Sequence, residues 1–292
     1  MVRRLGFHVS IAGGIANSVD NAKKLHCTAF QIFTRNPRGW AAKPMSRSES
    51  QSFKNRLAES GIQRTSVAVH MPYLPNLSGP PGELYQRSVK ILTEEMQRCN
   101  LLGISYLVIH LGSHMGKGSN SGIEQLVNAL MAARVHSECA NEVVVLLENN
   151  AGYKNSIGGT LEELRLILDM LDCSTHYGLC IDTCHLFASG YDLRTNQGVN
   201  RVFEKIENII GFKALKIIHL NDSKGGLGSN LDRHEHIGLG SIGLEGMSAI
   251  LNHSVVQALP IIMETPVDMR RGNEHNFRVV LKAITNNRIE RD

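Results

Sequence analysis

Val143-Val-Val-Leu-Leu-Glu148-Asn-Asn150 is a short run of β-branched and apolar side chains that stops at a carboxylate. Its length suits a strand. Its unbroken apolar character suits one buried on both faces, as in a parallel sheet. Seven further runs share that character: Leu5–Val9, Ala29–Phe33, Ser66–Val69, Tyr106–Ile109, Tyr177–Ile181, Leu215–Leu220 and Ile261–Met263. Segments of helical period lie between them at Gly14–Leu25, Ser46–Ser60, Tyr85–Leu102, Gly122–Cys139, Leu161–Leu171, Val199–Ile210 and Leu244–Leu251, and Asn276–Ile284 follows the last run. Eight strands alternating with eight helices predict an α/β fold, a (β/α)₈ barrel as one domain over residues 1–292. A doubly wound open sheet is the alternative reading of the same alternation. The longest Gly/Ser stretches, Gly112–Gly122 and Ser223–Ser229, follow the fourth and seventh runs, where barrel enzymes carry functional loops.

Composition narrows the class. Hydrophobic residues are 42% and charged residues 20% of 292, enough to bury a large core and to exclude a disordered chain. No run approaches the ~18 apolar residues of a membrane span, and the opening residues hold no apolar stretch of signal-peptide length, so a cytoplasmic protein is expected. Lys plus Arg is 31 against 27 for Asp plus Glu, a mild excess that permits nucleic acid without arguing for it. The six cysteines, Cys27, Cys99, Cys139, Cys173, Cys180 and Cys184, show no framework spacing and read as reduced core residues. Cys180 and Cys184 could suggest a thiolate metal site, but residues four apart on a strand lie roughly 13 Å apart, too far to share one ion. No heptad or long apolar stripe demands a partner chain, so a monomer is expected.

Chemistry gathers where the runs end. The third run ends at His70, the fourth at His110, the fifth at Glu148 and the sixth at Asp182-Thr-Cys-His185; the seventh ends at His219, with Asp232-Arg-His234 in its loop, and the eighth at Glu264. A barrel brings all C-terminal strand ends to one face, so these nine would converge on one pocket there. Imidazole and carboxylate donors suit zinc, and also manganese or iron. Nine are too many for one tetrahedral ion and match two or three ions sharing a carboxylate, at about three protein ligands per catalytic ion. Any one His after a strand is most simply a hydrogen-bonded loop residue. The weight lies in the joint pattern, because a charge directly after an apolar run is costly to bury without a partner. His8 fits the position but has no second candidate beside it, and reads as supporting or structural. Asp222, three residues past His219, is expected to orient a ligand. His114, His236 and His275 fall in loops or helix flanks and are left out.

Two loops suggest a partner. Thr34-Arg-Asn-Pro-Arg38-Gly-Trp40 sets cations beside the only Trp, which suits phosphate contact with base stacking or, equally, a Trp packed on the barrel rim. His70-Met-Pro-Tyr73-Leu74-Pro-Asn76 stiffens a loop that presents Tyr73 and Leu74, as wedges inserted into a duplex do or as a loop packed on the barrel would. Lys117, Lys224 and Arg233 add charge to the same face.

These stretches resemble the endonuclease IV family of apurinic/apyrimidinic endonucleases. The likeness is carried by Gly6-Phe-His-Val-Ser-Ile-Ala-Gly-Gly14, Phe33–Trp40, Gly178-Leu-Cys-Ile-Asp-Thr-Cys-His185, Gly190-Tyr-Asp-Leu-Arg194, His219-Leu-Asn-Asp-Ser-Lys224, Asp232-Arg-His-Glu-His-Ile-Gly238 and Glu264-Thr-Pro266, from one end of the chain to the other. The resemblance implies three zinc ions, with Mn²⁺ or Fe²⁺ possible at one site. His70, His110 and Glu148 would hold one; Glu148, Asp182, His219 and Glu264 a second; His185, Asp232 and His234 a third. It implies that Glu148 is catalytic, and that Arg38, Tyr73 and Leu74 enter double-stranded DNA at the lesion. The implied reaction is hydrolysis 5′ to an abasic site, leaving a 3′-hydroxyl and a 5′-deoxyribose phosphate. Leu111 stands where the family usually has Pro, Asn150 where it has Thr and Leu239 where it has Glu; none is a ligand position. A metal-dependent sugar isomerase or epimerase of similar barrel shape would explain His110, Glu148, Asp182, His219 and Glu264, but would leave His185, Asp232, His234, Arg38, Tyr73 and Leu74 without a role. A non-enzymatic binder of damaged DNA would not need all nine candidates.

Overall fold

Successive residues of a strand face opposite ways, so in each short run one set of side chains meets the helices and the other fills the barrel. The computed structural model describes residues 3–137, 143–171 and 175–289. Met1, Val2, Cys139, Cys173 and the end of the helix expected over 122–139 lie outside the described residues. The strands are β1 (Leu5–His8), β2 (Ala29–Ile32), β3 (Val67–His70), β4 (Tyr106–Ile109), β5 (Val144–Glu148), β6 (Tyr177–Asp182), β7 (Leu215–His219), β8 (Asp222–Ser223), β9 (His234–Glu235) and β10 (Ile261–Met263). Eight of them close a parallel barrel in the order β1-β10-β7-β6-β5-β4-β3-β2, sealed by Leu5 pairing with Ile261. The expected (β/α)₈ barrel is therefore the fold, and the open sheet is excluded.

Helices α1 (Asn17–Lys24), α2 (Arg47–Ser60), α3 (Glu83–Leu102), α4 (Ser119–Ser137) and α5 (Leu161–Leu171) link the early strands. A short α6 (Thr183–Ala188) precedes α7 (Asn196–Ile209), and α8 (Gly243–Asn252), α9 (Ser254–Gln257) and α10 (Asn273–Ile289) complete the set. Local sequence explains two of the starts. Ser46 and Glu49 form a capping box at α2, and Asp182 caps α6 by accepting from the His185 N–H at 2.9 Å. The short helices α6 and α9 and the antiparallel β8–β9 pair are additions that the apolar periodicity does not reveal. Among the described residues no helix is long and apolar enough to cross a membrane.

Outward-facing Val67, Val69, Leu107, Ile109, Val145, Leu147, Leu179 and Ile181 pack with the helices in the main core. The alternating Ala68, Val108, Leu146, Cys180, Ile217 and Ile262 form a separate buried cluster, the barrel interior. Two residues beyond each of these, on the same face and one layer up, stand His70, His110, Glu148, Asp182, His219 and Glu264. In β1 and β2 the same spacing leads from Gly6 to His8 and from Ala29 to Gln31. An added Cβ at Gly6 would lie 1.7 Å from the Ala29 carbonyl oxygen, so only glycine allows β1 and β2 to approach this closely. The barrel thus carries a ring of eight polar side chains on an apolar floor.

Candidate metal centre

A buried ring of charges is stable only if every member finds partners. The structure supplies them through Glu148. Its Oε2 lies 3.2 Å from His70 Nε2 and 3.1 Å from His110 Nε2, while its Oε1 lies 2.9 Å from His219 Nδ1. One carboxylate therefore serves two groups. His70, His110 and Glu148 form the first; Glu148, Asp182, His219 and Glu264 form the second. His185, Asp232 and His234 form a third, with His185 Nε2 3.1 Å from Asp232 Oδ1 and His234 Nε2 3.8 Å from the same oxygen. Within each group the facing donor atoms lie within 4.8 Å of one another, a separation that one ion can span.

The third group is not a product of the strand ends. His185 is carried by α6, which starts one residue after β6. His234 is carried by β9, which pairs back on β8 through Ser223 opposite His234 and so folds the loop after β7 across the mouth. Thr183 Oγ1 donates to the Asn221 carbonyl at 2.7 Å and fastens the end of β6 to the end of β7.

The second ring nitrogen of four imidazoles is also placed. His70 Nδ1 donates to the Met71 carbonyl at 2.7 Å, His185 Nδ1 to that of Asn149 at 2.9 Å and His234 Nδ1 to that of Glu264 at 3.2 Å. His219 is turned the other way round, with Nε2 3.0 Å from Gln31 Oε1. A proton held on the outer nitrogen leaves the inner one with a free lone pair, as a metal ligand requires. The inner Nε2 atoms of His185 and His234 are buried and face carboxylate oxygens, of Asp232 at 3.1 Å and of Asp182 at 3.6 Å, without a well-formed hydrogen bond among the described residues. Unsatisfied buried nitrogens beside carboxylates fit a bound cation, and the all-imidazole and carboxylate donor set fits zinc, manganese or iron.

Electrostatics point the same way. For five of these groups burial opposes the charge, yet the clustered opposite charges outweigh it. His110 and His219 are held above the ordinary imidazole range, and His185 is pushed up to about 10 by Asp182, Asp232 and Glu148. His219 and His110 hold Glu148 well below the usual carboxylate range, and His219 and His8 do the same to Glu264. Cations bound among these carboxylates would compete with protons for the imidazoles.

All nine expected ligand candidates are thus brought together. Their supports are Gln31, Asn149 and Asn221, which the sequence reading missed. Asn149 exchanges two hydrogen bonds with the Asp182 backbone, at 2.7 and 3.1 Å, and Asn221 donates to Asp182 Oδ2 at 2.6 Å while accepting from the Glu264 N–H at 2.8 Å. Both follow a ligand directly or by one residue, which is the signal that could have found them. His8 holds the supporting place expected of it, with Nδ1 3.2 Å from Glu264 Oε1.

Three expectations change. Asp222 does not orient His219; its carboxylate accepts the N–H groups of Ser223, Gly238, Gly240 and Ile242 and shapes the loop before α8. Cys184 sits on α6 rather than on a strand, so strand spacing does not separate the thiols. Each instead lies beside its own ligands, Cys180 by Glu148 and His219, and Cys184 by Asp182 and His234. The cation over Trp40 is Arg87 of α3, 4.4 Å from the ring centroid, and the indole packs against the core, so the rim-packing alternative holds for Trp40. Cys27, Cys99, Cys180 and Cys184 are buried reduced thiols, as expected.

The mouth of the site is a cavity of about 460 Å³ bounded by Tyr73, His110, His185, Asp232, His234 and Glu264. Tyr73, 53% exposed, stands at its rim, its ring 5.8 Å from those of His70 and His110, and Leu74, 38% exposed, follows it in the loop. The Tyr73 N–H donates to the Pro37 carbonyl at 3.2 Å, which couples this loop to the one bearing exposed Arg38. Beneath Arg38 the loop is anchored by a buried network in which Thr34 and Arg35 donate to Glu95 at 2.6 and 2.5 Å. The three departures are accommodated: Leu111 is buried with its carbonyl accepting from Ser78, Asn150 accepts from the Gly152 N–H within its own turn, and Leu239 is half exposed.

Known proteins resemble this chain over most of its length. A family profile described as xylose isomerase-like TIM barrel matches residues 19–285. A probable endonuclease 4 of Nitrosopumilus maritimus (strain SCM1) is 49% identical over 275 residues, 94% of this chain and 98% of the relative. One of Cenarchaeum symbiosum (strain A) is 50% identical over 275 residues, 94% of this chain and 97% of the relative. The crystal structure of endonuclease IV from Thermus thermophilus superimposes with a TM-score of 0.86 at 34% identity, covering 97% of this chain and 99% of that one.

Proposed function

The chain belongs to the endonuclease IV family, and on that premise we propose that it hydrolyses the phosphodiester 5′ to abasic sites in duplex DNA. It is a metal-dependent nuclease of DNA repair. The products of the proposed reaction are a 3′-hydroxyl and a 5′-deoxyribose phosphate. The observation that carries the reading is the division of Glu148 between two ligand groups with a third group alongside. We assign one zinc to His70, His110 and Glu148, a second to Glu148, Asp182, His219 and Glu264, and a third to His185, Asp232 and His234. Manganese or iron is compatible with any of these donor sets.

When bound, such ions lower the pKa of water from 15.7 to about 7 and offset charge on the attacking and leaving oxygens. The residues supply the rest. Four carboxylates do not neutralise three divalent ions, so the site keeps a positive field for a phosphodiester. Glu148, held through both oxygens, orients the attacking water. Tyr73 and Leu74 enter the duplex as wedges at the lesion, and Arg38 contacts the backbone beside them. An abasic nucleotide has lost its stacking and costs less to extrude, so the mouth selects lesions by shape. We read the chain as one barrel domain acting as a cytoplasmic monomer.

A sugar isomerase would use the ligands around Glu148 and His219 and leave the His185 group idle. Both readings meet the same experiment: incubation with a duplex holding one abasic site, with and without chelator, alongside elemental analysis. The expected result is a single nick on the 5′ side, lost with chelator, and three zinc ions per chain. An intact duplex after incubation with metal-replete protein, or one or two ions with sugar epimerisation, would overturn the proposal.

A further inference from the structure

We propose that Gln31 is a positioning residue of the metal centre, whose side-chain amide fixes which nitrogen of His219 and which oxygen of Glu264 face the ions. Gln31 is fully buried, and β2 places it in the same layer as the ligands. An amide has a donor end and an acceptor end, and here both ends are used. Oε1 accepts from His219 Nε2 at 3.0 Å. That leaves the Nδ1 lone pair of His219 facing the carboxylates, 2.9 Å from Glu148 Oε1 and 3.5 Å from Glu264 Oε2. Nε2 of Gln31 donates to Glu264 Oε1 at 2.7 Å, and His8 Nδ1 lies 3.0 Å from the same Nε2 and 3.2 Å from the same oxygen. Reversing the amide would set two oxygens against each other at Glu264 and an NH₂ group against the Nε2–H of His219, so only one orientation suits both Glu264 and His219.

The other placed imidazoles lean on backbone carbonyls, of Met71, Asn149 and Glu264, which no substitution at those positions removes. His219 leans on a side chain, which a single change deletes. Loss of such an outer partner typically weakens metal binding about 10- to 100-fold. The inference rests on the functional reading above, that the group containing His219 and Glu264 holds an ion.

The test uses Gln31→Met, which keeps length without the amide, and Gln31→Glu, which keeps the acceptor and loses the donor. Zinc affinities of the full chain are read by competition with a chromophoric chelator, and the His219 tautomer by ¹⁵N imidazole resonances of the zinc-loaded protein. In the unsubstituted protein His219 is expected to bind through Nδ1 with its proton on Nε2. In Gln31→Met one zinc is expected to weaken about 10- to 100-fold while the others hold their affinity, and the His219 Nε2–H resonance to be lost. Gln31→Glu is expected to keep that resonance and still to weaken one zinc; if Gln31→Met fails to fold, this variant alone decides. Unchanged affinities and resonances in a folded variant overturn the role of Gln31, as does an equal weakening of every ion. Absence of zinc at this group in the unsubstituted protein overturns the functional reading and this inference with it.

Discussion

Replacing Glu148 with glutamine preserves the size of the side chain and removes its charge. The carboxylate has two oxygens, each facing a different ligand group, at 3.1 to 3.2 Å on one side and 2.9 Å on the other. An amide has one oxygen. Whichever way it turns, one group loses its acceptor and meets an NH₂ instead, and the other group faces a neutral oxygen. Removing one preorganised electrostatic contact costs about 10²- to 10³-fold in turnover. With both groups affected the expected loss is about 10⁴-fold or more, equivalent to about 5.5 kcal/mol at ~1.4 kcal/mol per tenfold. The assay is single-turnover nicking of a duplex with one stable abasic analogue, read on a denaturing gel, with affinity measured in parallel by fluorescence anisotropy. Affinity is expected to hold within a few-fold, because Arg38, Tyr73 and Leu74 lie on other loops. Turnover within about tenfold of the unsubstituted protein, with metal content unchanged, would refute the bridging role.

Asp232→Ala removes the oxygen between His185 and His234 and is expected to lower zinc from three ions per chain to two, measured by elemental analysis, with nicking falling by about 10²-fold or more. Tyr73→Ala with Leu74→Ala is expected to weaken abasic-duplex binding by about 1–3 kcal/mol per lost stacking contact, read as a rise in Kd at fixed salt, with metal content unchanged. Stability of the chelated protein depends on pH through His185. Its folded pKa, about 10, lies above the ordinary 6.5, so its contribution is complete below pH 6.5 and is lost as pH rises through about 10. Thermal melts in chelator are therefore expected to fall over that window. Zinc-loaded protein is expected to lack this slope, because a coordinated imidazole carries no proton to release there.

Most of the ligand ring is legible because strand geometry is simple. Ala68 precedes His70 by two residues, and the same step joins Val108 to His110, Leu146 to Glu148 and Cys180 to Asp182. A short apolar run ending in a donor therefore specifies both a strand and a place in the ring. Gln31 obeys the same step from Ala29, but it sits inside a run that reads as apolar and its amide is not a metal donor, so it escapes notice. The third group is less legible. His185 needs a helix begun by an Asp182 cap, and His234 needs a two-residue pairing between β8 and β9; neither has a period to detect. Arg87 meets Trp40 through tertiary packing alone, which local sequence does not encode. The approach of the Arg38 loop to the Tyr73 loop is marked by the backbone hydrogen bond from Tyr73 to Pro37, a tertiary contact that neither loop's sequence announces.

The apolar layer of Ala68, Val108, Leu146, Cys180, Ile217 and Ile262 has a kinetic consequence. It fills the barrel directly below the ligands with buried apolar side chains, through which an ion could pass only by shedding its water. An ion held there would therefore enter and depart by the rim of Tyr73, Asp232 and His234, the doorway that a duplex bound as proposed would cover. Loading and turnover compete for one opening. A duplex seated there would keep such ions out of reach of a chelator, so the cofactor would be most secure at the moment it is in use.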